Sequence, residues 1–170
     1  MSPSFFEYQG RLNAKLKTGM SSAPRVMEKP EASDPGTRRS MQSNRRTNTK
    51  PEIALRSMLH GRGLRFRKDL LIRCDDLSVR PDVVFTKAKV VVFQDGCWWH
   101  GCSEHDMRPK RNAAFWNQKI DETIERDRRV TAALTDGGWI VIRVWEHEPI
   151  TSAAERIEQA VRTSSRVDRP

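Results

Sequence analysis

A chain of 170 residues with 31 basic against 22 acidic side chains, a formal charge of +9, has room for one ordinary domain and carries a surface suited to a polyanion. No apolar run approaches the length of a bilayer span, no basic-then-apolar leader opens the chain, and three cysteines read as free thiols or metal ligands rather than as a disulfide framework. A membrane protein and a disulfide scaffold are set aside, a cytoplasmic location is expected, and nucleic acid leads the partner classes.

Residues 1–36 mix Pro, Ser, Glu and Lys without a period, apart from Phe5 and Phe6, and read as a disordered extension. Residues 37–49 are basic and polar, with Arg38, Arg39, Arg45 and Arg46 around Met41, which suits either an arm lying on phosphates or a solvated linker. Thr49-Lys50-Pro51-Glu52 has the form of a capping box, and Ile53, Leu55, Met58 and Leu59 continue it as an amphipathic helix that Gly61 and Gly63 end. Leu64 to Phe66 alternates as a strand. Asp82 to Phe85 and Val90 to Phe93 read as buried strands joined by the polar turn Thr86 to Lys89, hence a hairpin.

After a loop over residues 95–111, Phe115, Ile120, Ile124 and Leu134 recur at helical spacing until Gly137 and Gly138. Trp139 to Trp145 is an apolar strand interrupted by Arg143, and Ala153, Ile157, Ala160 and Val161 predict a closing helix before a polar tail over 166–170. The expected order is helix, three strands, helix, strand, helix, within a domain over 50–165. A last strand reached through a helical crossover can pair parallel to its neighbour, giving an α/β fold with a mixed sheet flanked by helices.

Cys97, Cys102 and His105 fall in one short loop, at a spacing that can set sulfur and imidazole around a tetrahedral zinc ion. The fourth ligand must come from elsewhere: His147, just past the last strand, is the best candidate, and His100 competes for the place. A full set of protein ligands would make the ion structural. Cys74 lies outside the cluster.

Asp82 opens one strand of the hairpin while Gln94 and Asp95 close the other, so antiparallel pairing brings the carboxylates together with a backbone carbonyl, the hard oxygen donors that magnesium takes. His100 follows on the same loop, where a neutral imidazole can take a proton from an attacking water, and Glu52 can orient that water. Asp82 after Pro81 also reads as a strand-entry residue, and Glu52 is also explained as the acid of the capping box.

The segments Arg80-Pro81-Asp82, Phe93-Gln94-Asp95-Gly96-Cys97-Trp98-Trp99-His100-Gly101-Cys102, Phe115-Trp116, Glu125-Arg126-Asp127-Arg128-Arg129, and Gly138-Trp139 through Trp145-Glu146 together resemble the very-short-patch-repair (Vsr) endonucleases. The similarity runs from about Thr37 to Glu148. It implies a restriction-endonuclease-like core that nicks one strand of duplex DNA beside a T:G mismatch left by deamination of 5-methylcytosine, a nucleoid-associated monomer handing its nick to downstream repair proteins. By matching position, it implies Asp82 and the Gln94 carbonyl as magnesium ligands, His100 as general base and Glu52 as the acid supporting the metal-bound waters. Cys97, Cys102, His105 and His147 would hold structural zinc. Trp98, Trp99 and Trp116, with Met41 from the arm, would wedge into the duplex. The best-known family members carry Thr-His where this chain has Gln94-Asp95, so Asp95 brings a second carboxylate to the catalytic set. A restriction-type or homing-type nuclease on the same fold, and a zinc-bearing DNA-binding module without catalysis, are the competing readings.

Overall fold

The computed structural model describes residues 30, 31, 34–36, 38, 39, 47–74, 77–105 and 108–167. Met41, Arg45, Arg46, most of the N-terminal extension and residues 168–170 lie outside them.

Helix α1 (Lys50–Gly61) begins where its sequence signature places it. Thr49 is the N-cap in extended conformation, its Oγ1 accepts from the Glu52 backbone N–H at 3.5 Å, and Glu52 reaches back to accept the Asn48 N–H at 2.8 Å. One N–H that the first turn leaves open, that of Glu52, and the Asn48 N–H just ahead of the cap are thereby bonded. Leu55 and Leu59 point inward, and the helix ends through Gly63 at φ 78°, with the Leu64 N–H closing on the Leu59 carbonyl.

Leu64 to Phe66 is not a strand, contrary to its alternation. Only Arg67 makes a β-bridge, exchanging two backbone hydrogen bonds with Val84, and Asp69 at φ 51° then turns the chain away before a ladder can extend. Two strands of three residues, β1 (Ile72–Cys74) and β2 (Leu77–Val79), form an antiparallel pair that the sequence reading did not anticipate. Segments that short contain too few alternations to declare a period.

Strands β3 (Val83–Phe85) and β4 (Val90–Asp95) pair antiparallel with Val84 opposite Val91, as the polar turn between them requires. Helix α2 (Ala113–Asp136) carries the chain over to β5 (Ile140–Trp145), which runs parallel to β4 from Val90↔Ile140 to Asp95↔Trp145. The sheet order is therefore β3-β4-β5, mixed as expected. Helix α3 (Ile150–Val167) closes the fold and runs into the segment expected to be tail.

Strand alternation sorts the core into two layers. Val83, Phe85, Val90, Val92, Ile142 and Val144 meet Leu55 and Leu59 of α1 and Ala153, Ala154 and Ile157 of α3 on one face. On the other, Val84 and Val91 meet Leu134 of α2 and Ile72 of β1. Because α2 lies across the face carrying Val91, Phe93 and Val141, its inward residues stand over the strand ends where the polar side chains collect.

Candidate active site and metal centre

The sheet's apolar alternation gives way to polar residues where β3 begins and where β4 ends. Asp82, one residue before β3, accepts the backbone N–H of Gln94 at 2.7 Å, extending the hairpin past its last paired residues. Burial pushes the Asp82 carboxyl up to about 6; the Gln94 hydrogen bond opposes this, and the charges of Glu52 and Asp95 add to it. A half-buried acid facing two more carboxylates is a place that gains from a cation. The side-chain Oε1 of Gln94 is buried with no hydrogen-bond partner among the described residues, a further oxygen lacking a positive partner. This donor set suits a hard divalent ion.

Glu52 is committed locally. Its carboxylate is shared between the Asn48 N–H, the Thr49 hydroxyl and the Arg56 guanidinium, so it reaches Asp82 through its charge.

Asp95, at the buried end of β4, receives Arg143 from the adjacent strand β5, Nε to Oδ2 at 2.5 Å and Nη2 to Oδ1 at 3.0 Å. This bidentate pair occupies the carboxylate that the sequence reading assigned to the catalytic set. His100 lies beside it: Nδ1 is 3.5 Å from Asp95 Oδ1 and 2.5 Å from Oδ2 of Asp127 on α2. The Asp127 carboxyl is held down at about 2 even though burial works to raise it, because the His100 hydrogen bond and the Arg143 charge prevail. An ionised carboxylate only accepts, so the imidazole proton sits on Nδ1 and Nε2 is the basic nitrogen.

Asp127 and Arg143 were both missed as site residues. Arg143 had a signal, a charge interrupting an apolar strand that could be buried only against a partner. Asp127 had none beyond its motif, since its neighbours on both sides are charged.

A second cluster joins the same loop to the segment just past β5. The ligand atoms of Cys97, Cys102, His105 and His147 all lie within 4.8 Å of one another. Cys97 Sγ is 3.0 Å from His147 Nδ1, and Cys102 Sγ is 3.6 Å from His105 Nδ1 and 3.8 Å from His147 Nδ1. Sulfur and nitrogen ligands on a tetrahedral zinc stand about 3.5 Å apart, so these residues fit the ion with little rearrangement. Burial raises the Cys97 thiol to about 12, while hydrogen bonds from His105 and the neighbouring backbone bring Cys102 down despite its own burial. Glu146 accepts the Cys97 N–H at 2.7 Å and gives its own N–H to the Asp95 carbonyl, tying this cluster to the end of β4. His147 thus stands with the cysteines and His100 with the carboxylates, which separates the two histidines that spacing left in competition.

Between the clusters the loop sends out aromatic rings. Trp98 meets Trp99 at 4.2 Å between centroids and Trp116 of α2 at 5.3 Å, and Trp99 is 41% exposed. Arg38 and Arg39 are exposed.

A half-buried acid, an imidazole held by a carboxylate and an aromatic platform at one end of an α/β sheet are a combination suited to a hydrolytic enzyme acting on a polymer with stacked rings. Residues 31–106 match the family model described as DNA mismatch endonuclease Vsr. The chain is 50% identical over 123 residues to the type II nicking enzyme V.NaeI of Lentzea aerocolonigenes, covering 72% of this chain and 74% of that protein. It is 41% identical to the type II nicking enzyme V.NmeDIP of Neisseria meningitidis serogroup C over 72% of this chain and 83% of that protein. With the DNA mismatch endonuclease Vsr of Escherichia coli K12 it shares 37% identity over 66% of this chain and 74% of that protein. The chain belongs to the Vsr family of DNA mismatch endonucleases, and DNA is its substrate. No helix among the described residues is long and apolar enough to cross a membrane.

Proposed function

We propose that this protein nicks one strand of duplex DNA beside a T:G mismatch by magnesium-dependent hydrolysis, starting the replacement of a short patch on a restriction-endonuclease-like core. The observation that carries the reading is the juxtaposition of Asp82, the Gln94 backbone and the Asp127-held His100 on one rim of the sheet, next to Trp98, Trp99 and Trp116. Relatives described as nicking enzymes support cleavage of a single strand, which suits a monomer.

Asp82 and the Gln94 carbonyl would hold the magnesium ion, which supplies charge neutralisation at the scissile phosphate. His100 Nε2 takes the proton of the attacking water as its oxygen bonds to phosphorus, and the bond from phosphorus to the leaving sugar oxygen breaks, that oxygen keeping the electron pair and taking a proton from solvent to leave as a hydroxyl. Asp127 stabilises the resulting imidazolium through Nδ1 without itself taking the proton. Asp95 acts from behind His100, and Glu52 lends negative charge to the Asp82 side. Zinc held by Cys97, Cys102, His105 and His147 would fix the loop bearing His100.

The tryptophans, with Met41 from the arm, would enter the duplex where the mispair stacks weakly, so that the cost of opening is least at the target. Arg38, Arg39, Arg45 and Arg46 would contact the phosphates over 37–49. Labelled duplexes carrying a T:G mismatch or a normal pair, incubated with magnesium and wild-type, Asp82→Ala or His100→Ala protein, test the reading. One-strand cleavage confined to the mismatch and lost in both variants is expected. Cleavage of matched DNA points instead to a restriction-type or homing-type enzyme, and binding without turnover to a non-catalytic module.

A further inference from the structure

Asp95, His100 and Asp127 converge closely enough to hold a metal ion, yet a side chain already stands among them. Arg143 gives Nε to Asp95 Oδ2, Nη2 to Asp95 Oδ1, and Nη1 to the Asp127 carbonyl at 3.4 Å and the Thr131 hydroxyl at 3.3 Å, and Nη2 also lies 2.9 Å from Asp127 Oδ2 as an ion pair. All three nitrogens of the guanidinium fork therefore have hydrogen-bond partners inside the protein. Phe93 lies under the cation, 5.1 Å from ring centroid to Cζ. A guanidinium committed to the protein through all three nitrogens is held away from the role of the arginines that clamp substrate.

We propose that Arg143 is a positioning residue that serves as the fixed cation of the Asp95–Asp127 pair. It holds both carboxylates against His100 and keeps divalent metal out of that pair, so that metal is confined to the Asp82 side. The charges support this. Two carboxylates with a neutral imidazole would form a strongly negative pocket with the donor types of a cation site. One permanent positive charge, planar and bidentate, leaves a single net negative charge, the one that faces the imidazole proton. Removing the guanidinium leaves two buried or half-buried carboxylates uncompensated, and the cheapest remedy in solution is a divalent ion.

The inference concerns the residues around the base of the proposed hydrolysis and rests on that reading for its catalytic meaning, but its primary test is independent of DNA cleavage. Full-length, zinc-loaded protein is titrated with Mn2+ without DNA, and free Mn2+ is followed by electron paramagnetic resonance. Wild type should bind one Mn2+ per chain. Arg143→Gln, which keeps polar contact and removes the charge, should bind one more, and adding Asp127→Asn should abolish the extra ion. Two ions on the wild type, or no additional ion on folded Arg143→Gln, overturns the proposal. Should Arg143→Gln fail to melt cooperatively, two ions on the wild type would still overturn the proposal, and Arg143→Lys, which keeps the charge, should bind no extra ion.

In nicking assays Arg143→Gln should lower kcat at least tenfold while KM for the duplex stays within about twofold, since the residue fixes the base and does not touch substrate. A matched rise in KM instead would identify a substrate contact and overturn the positioning role. If no duplex is cleaved even by wild type, the mismatch reading fails while the Mn2+ counts still answer for Arg143.

Discussion

His100 and Asp127, 27 residues apart, meet at 2.5 Å between Nδ1 and Oδ2, so a loop residue and a helix residue form one proton-handling unit. Asp127→Asn keeps the shape but offers an amide that can donate to Nδ1 and favour the wrong tautomer. Single-turnover nicking should slow by about 10²- to 10⁴-fold, the usual worth of a positioned base, with duplex affinity little changed. Rates near wild type would show that His100 needs no partner.

The same carboxylate makes a pH prediction for stability. Its folded-state value of about 2 lies below the ordinary 3.8, so its contribution is fully present above the unfolded value and is lost as pH falls through about 2. That contribution is on the order of 2 kcal/mol. Urea unfolding of wild type and Asp127→Asn at a series of pH values should show a stability gap that is constant above pH ~4 and closes toward pH ~2. Comparing the two proteins at each pH removes the shared acid loss of the thiol centre.

Metal analysis should return about one zinc per chain, retained through gel filtration. His147→Ala and Cys102→Ser should each lose it and broaden the thermal transition, whereas His60→Ala, on α1 away from the cluster, should keep it. Chelator should reproduce the variants' melting behaviour, and a sharp transition in metal-free protein would refute a structural ion.

Trp99 is the exposed member of its aromatic trio, the other two rings being half-buried, and truncating it removes little core. Trp99→Ala should leave thermal stability within about 1 kcal/mol of wild type. Binding of mismatched duplex should weaken by about 1–3 kcal/mol, the worth of one stacked ring. Equal weakening on mismatched and paired duplexes would mean that the ring stacks without selecting.

Local signals carried most of the architecture. Thr49 and Glu52 marked the helix start by chemistry that acts within one turn, and the polar Thr86–Lys89 segment between two apolar runs could only be a turn. Leu64 to Phe66 misled because alternation records which side chains are buried, not whether a second strand is available to pair with the backbone. The site was legible where residues cluster in sequence, as in the segment from Gln94 to His105. It was illegible where partners arrive from afar, since Asp127 and Arg143 gain their meaning only from the crossover that lays α2 across β5. Glu52 was visible, but its local bonds could not be weighed against a longer reach without coordinates.

The segment from Cys97 to Cys102 assigns neighbouring side chains to separate tasks: a thiol to one cluster, two rings outward, an imidazole to another cluster, a thiol back to the first. Between imidazole and returning thiol stands Gly101 at φ 65°, where an added Cβ would come within 2.5 Å of the Ile124 side chain. Such a stretch has no slack. Point changes at Trp98 or Trp99 can be absorbed, but inserting or deleting one residue would shift the assignments downstream of it. Over evolutionary time its spacing should drift far more slowly than its letters.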